Sequence, residues 1–307
     1  MRRLLVALSL VPAAVIVWVG WRWVTPARKP EPALPEGLEV EEVWFGSLDR
    51  TRLRGLWIAG RKPYPTIVLC HGYYRNLAEP FEVGLALNRA GYNVFLFDFR
   101  ACGRSGGRFT TAGLKEAWDV EAAVSYVSER YGRGPVGVLG ISMGGGAAIM
   151  AGARRDEIAA VVTDCAFTDL GDIMRLKIPE FARAGTAPLG WLSIAVGEWM
   201  AGGRLRDVRP VDYVGRLAPR PLLLIYSGRD SYLPPEQPGD MFAAAGEPKE
   251  MWLAPGSDHA VARLDHKAEY ERRVVEFFDR HLRGGRGRRR AGAAGATPRA
   301  ARRRTRA

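Results

Sequence analysis

The chain has 307 residues, 47% hydrophobic and 25% charged, a mixture that excludes a wholly disordered or fibrous protein and fits one large domain or two small ones. Its formal net charge of +12 alone suggests an acidic partner, a nucleic acid or a membrane surface. That inference depends on where the charge lies, and it is not spread evenly.

Residues 1–30 carry five basic side chains and no acidic one. Between Arg3 and Arg22 runs an uncharged stretch of 18 residues, Leu4 to Trp21. As a helix it reaches about 27 Å, close to the ~30 Å hydrocarbon core of a bilayer. Arg2 and Arg3 precede it, and Trp18, Trp21 and Trp23 cluster at its far end, where indoles favour the headgroup layer. The pattern predicts one N-terminal transmembrane helix, residues 1–24, as an uncleaved anchor. A cleaved signal has a shorter apolar region and a small-x-small site, which only Thr25-Pro26-Ala27 faintly offers. A helix buried in a globular domain would show a polar face. A short basic N-terminus kept in the cytoplasm puts the body on the extracytoplasmic side of the membrane. Residues 25–38 hold Pro26, Pro30, Pro32 and Pro35 and predict a semi-extended spacer.

From residue 39 the pattern changes. Residues 39–45 and 51–59 predict two strands joined by a turn. Residues 66–70 and 93–97 are continuous apolar runs, as expected of strands buried on both faces, with a helix at 81–90 between them. Residues 114–131 predict a helix, since Ala117, Val120, Val124, Val127 and Tyr131 fall on one face. A strand at 136–141, a small-residue helix at 144–153 and a strand at 158–163 follow. After a long insertion at 166–219 come strands at 221–226 and 250–254, with helices at 238–245 and 268–282. Strand–helix alternation with apolar strands implies an α/β fold, a mostly parallel sheet with helices on both faces, whose ligands bind at the carboxyl ends of the strands.

Residues 283–307 carry ten arginines and no acid, which leaves a net −3 on residues 31–282. This tail lacks apolar periodicity and predicts a disordered segment. Polyarginine could bind nucleic acid or anionic lipid, but a solvated appendage is the simpler reading, and no nucleic-acid partner is expected. Cys70, Cys102 and Cys165 have no metal-ligand spacing and imply no disulfide framework.

Gly140-Ile141-Ser142-Met143-Gly144 lies between a buried strand and a small-residue helix, the context of a G-x-S-x-G nucleophile elbow. The turn is tight enough to need small residues on both sides of Ser142, and it sets the serine at a helix N-terminus, where N–H groups favour developing negative charge. His71-Gly72 follows the strand at 66–70, a place where a backbone N–H can join an oxyanion hole. The expected pair is the N–H of Tyr73 and that of Met143. His71 itself is expected to be structural. A serine hydroxyl needs a general base. His266 and His281 belong to the last helical region and are expected to be solvated, whereas His259 sits on a loop after a late strand and is the expected base. Asp230, after the strand at 221–226, is the expected third member. Asp164 also ends a strand and is its rival, and Asp258 is too close in sequence to orient its neighbour. The order Ser142, Asp230, His259 is the one expected for this kind of elbow.

With these motifs the chain resembles the α/β-hydrolases over residues 39–282. Asp98-Phe-Arg-Ala-Cys-Gly-Arg-Ser105 resembles the turn after the fourth strand in that superfamily. Asp164-Cys-Ala-Phe-Thr-Asp169 and Gly228-x-Asp230-x-x-x-Pro234 resemble its serine-aminopeptidase-like and membrane-tethered esterase or depalmitoylase subgroups. His71-Gly72-Tyr73-Tyr74 departs from the H-G-G-G turn of the lipase/esterase subgroup, so that subgroup's substrates are not carried over. The resemblance makes 166–219 an inserted lid. Its apolar residues suit an acyl or aromatic substrate group, and equally its own packing on the sheet. It implies a serine hydrolase of an ester, thioester or amide, acting through an acyl-enzyme without metal or cofactor. An acyltransferase with the same residues, or a membrane-anchored adaptor binding anionic partners through its tail, are the alternatives.

Overall fold

The computed structural model describes residues 2–61, 65–132, 134–181 and 187–283, with side chains described outside 2–11 and 177–188. The arginine-rich tail from 284 onward therefore lies outside the described residues.

Eight strands form one sheet: β1 (Glu41–Gly46), β2 (Arg52–Ile58), β3 (Thr66–Cys70), β4 (Asn93–Phe97), β5 (Val136–Ile141), β6 (Ile158–Asp164), β7 (Leu222–Ser227) and β8 (Lys249–Ala254). Their order is β1-β2-β4-β3-β5-β6-β7-β8. The hairpin β1–β2 pairs antiparallel, β2 joins β4 antiparallel, and every later pairing is parallel. The apolar runs of β3, β4 and β5 are buried, as strands covered on both faces must be.

The helices are α1 (Arg2–Val24), α2 (Phe81–Arg89), α3 (Glu116–Tyr131), α4 (Met143–Gly152), α5 (Leu170–Phe181), α6 (Ala187–Ala201), α7 (Val211–Val214), α8 (Gln237–Ala244), α9 (Ala262–Asp265) and α10 (Lys267–Phe278). Right-handed crossovers decide where they lie. The chain steps outward from β3 to β4 through α2, then returns past β3 to β5 through α3. The two steps run in opposite directions, so α2 and α3 cover opposite faces. α4 continues in the direction of α3 and packs on it, and α10 packs beside α2. The direction reverses at β3 and β5, so a crevice opens between their carboxyl ends. Gly72-Tyr73 follows β3 there, and Ser142 follows β5.

The insertion between β6 and β7 contributes α5, α6 and α7. Among the described residues no helix is long and apolar enough to cross a membrane. The side chains of the first half of the expected anchor lie outside those described. Its second half packs against α6, and the two backbones come so close that a Cβ on Gly20 would stand 2.4 Å from the Ser193 carbonyl oxygen.

Residues 25–38 differ from the expected spacer. Arg28 donates to the carbonyls of Gly103 and Ser105 at 2.7 Å each, and Glu31 pairs at 2.6 Å with the buried Arg54. The Asn76 amide donates to the Lys29 carbonyl at 3.0 Å. These polar groups fasten the segment along the body.

A buried ion pair braces the turn after β4. Arg100 donates to both carboxylate oxygens of Asp119 at 2.6 and 3.0 Å, and the Ser47 hydroxyl donates to the same carboxylate at 2.6 Å. Truncating one partner of such a pair leaves the other charge uncompensated, at a cost of about 3–5 kcal/mol, whereas an apolar pair of similar volume can be neutral. Arg100→Ala should lower the unfolding free energy in urea by about that amount, and Arg100→Met with Asp119→Leu by less. A double variant worse than the single one would contradict this account.

Candidate active site

β5 ends at Ile141 and α4 begins at Met143, so the whole reversal falls on Ser142. Its φ of 51° and ψ of −114° are unfavourable for a residue with a Cβ, at a cost of about 1–3 kcal/mol. The two flanking glycines are sterically required. A Cβ on Gly140 would lie 2.2 Å from the Gly144 carbonyl oxygen, and one on Gly144 would lie 2.5 Å from that of His71. The Ser142 N–H donates to the Asp164 carbonyl at 2.7 Å, tying the turn to the end of β6.

Three side chains from three loops meet here. Ser142 Oγ lies 2.9 Å from His259 Nε2, and His259 Nδ1 lies 2.8 Å from Asp230 Oδ2. The other Asp230 oxygen accepts the N–H groups of Tyr232 and Leu233, both at 2.8 Å. Burial works against the Asp230 charge, but the hydrogen bond and charge of His259 and these two amides outweigh it. They hold the carboxyl below the usual carboxylate range.

Asp164, the rival, is fully buried. One of its oxygens accepts the Tyr270 hydroxyl at 3.2 Å, and the other has no partner among the described residues. Burial raises its pKa, against the opposing charge of Arg263. Asp230, and not Asp164, contacts His259.

The remaining histidines do not reach Ser142. His71 is fully buried. The Phe99 N–H donates to its Nε2 at 3.0 Å, so Nδ1 carries the proton and donates to the Gly72 carbonyl at 2.8 Å. Burial lowers its pKa and keeps it neutral, which fits the expected structural part. His266 and His281 are half-buried, partly rather than fully solvated. The first lies 2.8 Å through Nε2 from the Pro255 carbonyl, and the second packs its ring on Phe277.

The expected oxyanion donors flank the serine. Met143 is the first residue of α4, where an N–H has no partner in its own helix. Tyr73 borders the same cleft. Its turn is held by the Gly72 N–H donating to Glu79 at 2.6 Å.

The cleft divides at Ser142. One side, about 490 Å³, is the more polar of the two and includes His259, Lys29, Arg75, Glu79 and Arg263. The other is narrow and apolar, lined by Met143, Phe167, Leu170, Met174, Leu205 and the end of α1. Cys165, Asp230 and His259 offer three potential metal-ligand atoms within 4.8 Å of one another. The Cys165 thiol is buried beside Ser227 and its pKa is pushed up, so it is a poor thiolate ligand.

A sequence model of the α/β-hydrolase fold matches residues 65–190. The esterase Pf2001 of Pyrococcus furiosus superposes with a TM-score of 0.70 at 29% identity, covering 84% of this chain and 98% of that one. The chain has the α/β-hydrolase fold. Its relatives include the uncharacterized protein YfhR of Escherichia coli K12, 29% identical over 80% of this chain and 82% of that protein. Another is the uncharacterized protein YqkD of Bacillus subtilis, 27% identical over 74% and 75%. The likeness to esterases supports hydrolase activity.

Several parts of this candidate site have no local sequence signal. Asp258 accepts the His259 N–H at 2.7 Å and the Ser231 N–H at 2.8 Å, clamping together the loops that carry His259 and Asp230. Leu170, Met174 and Leu205 of the insertion border the serine only through tertiary folding.

The depressed Asp230 carboxyl has a consequence for stability. An aspartate titrates near 3.9 in an unfolded chain, so this group stabilises the fold above that pH and loses the contribution as pH falls through its lower folded value. The difference in unfolding free energy between wild type and Asp230→Asn should shrink below about pH 4. A difference that grows toward acid would contradict the arrangement.

Proposed function

We propose that this protein is a membrane-anchored serine hydrolase that cleaves an ester, thioester or amide of an acyl-bearing substrate. The observation that carries the reading is the unbroken hydrogen-bonded series Ser142–His259–Asp230. Ser142 Oγ attacks the carbonyl carbon while His259 Nε2 accepts its proton. The other ring proton stays on Nδ1, donated to Asp230, which steadies the imidazolium. The N–H groups of Tyr73 and Met143 stabilise the oxyanion, each such donor being worth about 3–4 kcal/mol of barrier. His259 then protonates the leaving group, the carbon–heteroatom bond breaks, and water deacylates Ser142 by the same steps reversed.

The anchor is supported by the uncharged run Leu4 to Trp21 and by two outward indoles near its end, Trp18 being 60% and Trp21 37% exposed. The body lies on the extracytoplasmic side.

A fluorophosphonate probe that does not cross membranes should label a 33.8 kDa band when applied to intact cells, and the band should stay with the membranes through an alkaline wash. Ser142→Ala should abolish labelling. Asp230→Asn should lower ester turnover by about 10⁴-fold, and Asp164→Asn by less than about tenfold. Labelling that survives Ser142→Ala would sink the nucleophile assignment. A labelled band in the wash would sink the anchor, and labelling only after lysis would sink the topology.

A further inference from the structure

We infer that the C-terminal turn of α1 is a wall of the acyl-binding pocket, so that Trp23 and Val24 help to set which acyl chains are accepted. The inference rests on the serine-hydrolase reading and adds a specificity element to it.

The two sides of the cleft have different chemical duties. A leaving group must receive its proton from His259, which borders the polar side and not the apolar one. The leaving group therefore departs through the polar side. The acyl group stays bonded to Ser142 and occupies the apolar side, beside Met143. Trp23 and Val24 border that apolar side. Val24 is 1% exposed, so its side chain is buried among the pocket's other walls.

The end of α1 is fixed by more than apolar contact. The last carbonyls of a helix have no partner within it. Here the body supplies them. The Tyr73 hydroxyl donates to the Trp23 carbonyl, the Tyr74 hydroxyl donates to that of Arg22, and the Thr110 N–H donates to that of Val24 at 2.8 Å. Tyr73 is also the residue whose N–H is the expected oxyanion donor. α1 is held from its other side by α6, where a Cβ on Gly197 would lie 2.8 Å from the Gly20 carbonyl oxygen. The N-terminal segment thus completes the pocket and stiffens the turn after β3.

The test uses the full chain in detergent and compares kcat/KM for p-nitrophenyl octanoate with that for p-nitrophenyl acetate. Val24→Trp fills the pocket and should lower the octanoate-to-acetate ratio by about tenfold. Trp23→Ala enlarges it and should raise the ratio, by about threefold or more. Opposite shifts support the wall. Ratios unchanged in Trp23→Ala, or the same factor lost for both esters in both variants, would overturn it while fluorophosphonate labelling stands. A wild-type chain that neither turns over esters nor takes the probe would overturn the hydrolase reading, and this inference with it.

Discussion

The site depends on one strained residue. Ser142 carries the entire reversal from β5 into α4 with a positive φ, and a serine does not choose that conformation. Three features hold it there: the Gly140 and Gly144 backbones, which meet almost directly, and the Ser142 N–H bond to the Asp164 carbonyl on the neighbouring strand. The parallel register of β5 and β6 supplies that carbonyl at the right height. The strain aims Oγ out of the sheet toward the His259 loop, and it sets the Met143 N–H beside it. On the proposed reading, nucleophile and oxyanion donor are therefore positioned by the same peptide.

Two carboxylates near the site illustrate how environment decides a role. Asp164 is fully buried with one oxygen lacking a hydrogen-bond partner among the described residues, and burial favours its neutral form. Asp230 accepts two amide protons besides its contact with His259, and these favour its charge. Only a charged acceptor can steady an imidazolium. Asp258, excluded as an orienter on sequence grounds, acts on the backbone instead and joins the two loops.

Much of the fold is legible in the chain. The strands at 66–70, 93–97 and 136–141 fall at the expected boundaries because uninterrupted apolar runs closed by polar or glycine residues have few other solutions. The meeting of Ser142, His259 and Asp230 was legible from the elbow and from strand ends. The docking of residues 25–38 and the role of α1 were not. Those contacts link side chains such as Arg28, Tyr73 and Tyr74 to backbone carbonyls far away in the chain, and carbonyls leave no mark in a sequence. The prolines pointed to an extended segment, which is compatible with a free spacer and with a strap.

The charge that dominates the composition belongs to the ends, while the chemistry belongs to a nearly neutral body. Among the contacts that join the N-terminal end to the body are the last carbonyls of α1, which accept from Tyr73, Tyr74 and Thr110. The central claim is that a covalent acyl group is carried on Ser142. The direct measurement is mass spectrometry of the protein acid-quenched during turnover of a p-nitrophenyl ester. The account predicts a mass gain of one acyl group, located on the peptide that contains Ser142. Turnover with the acyl group on a different residue would contradict it.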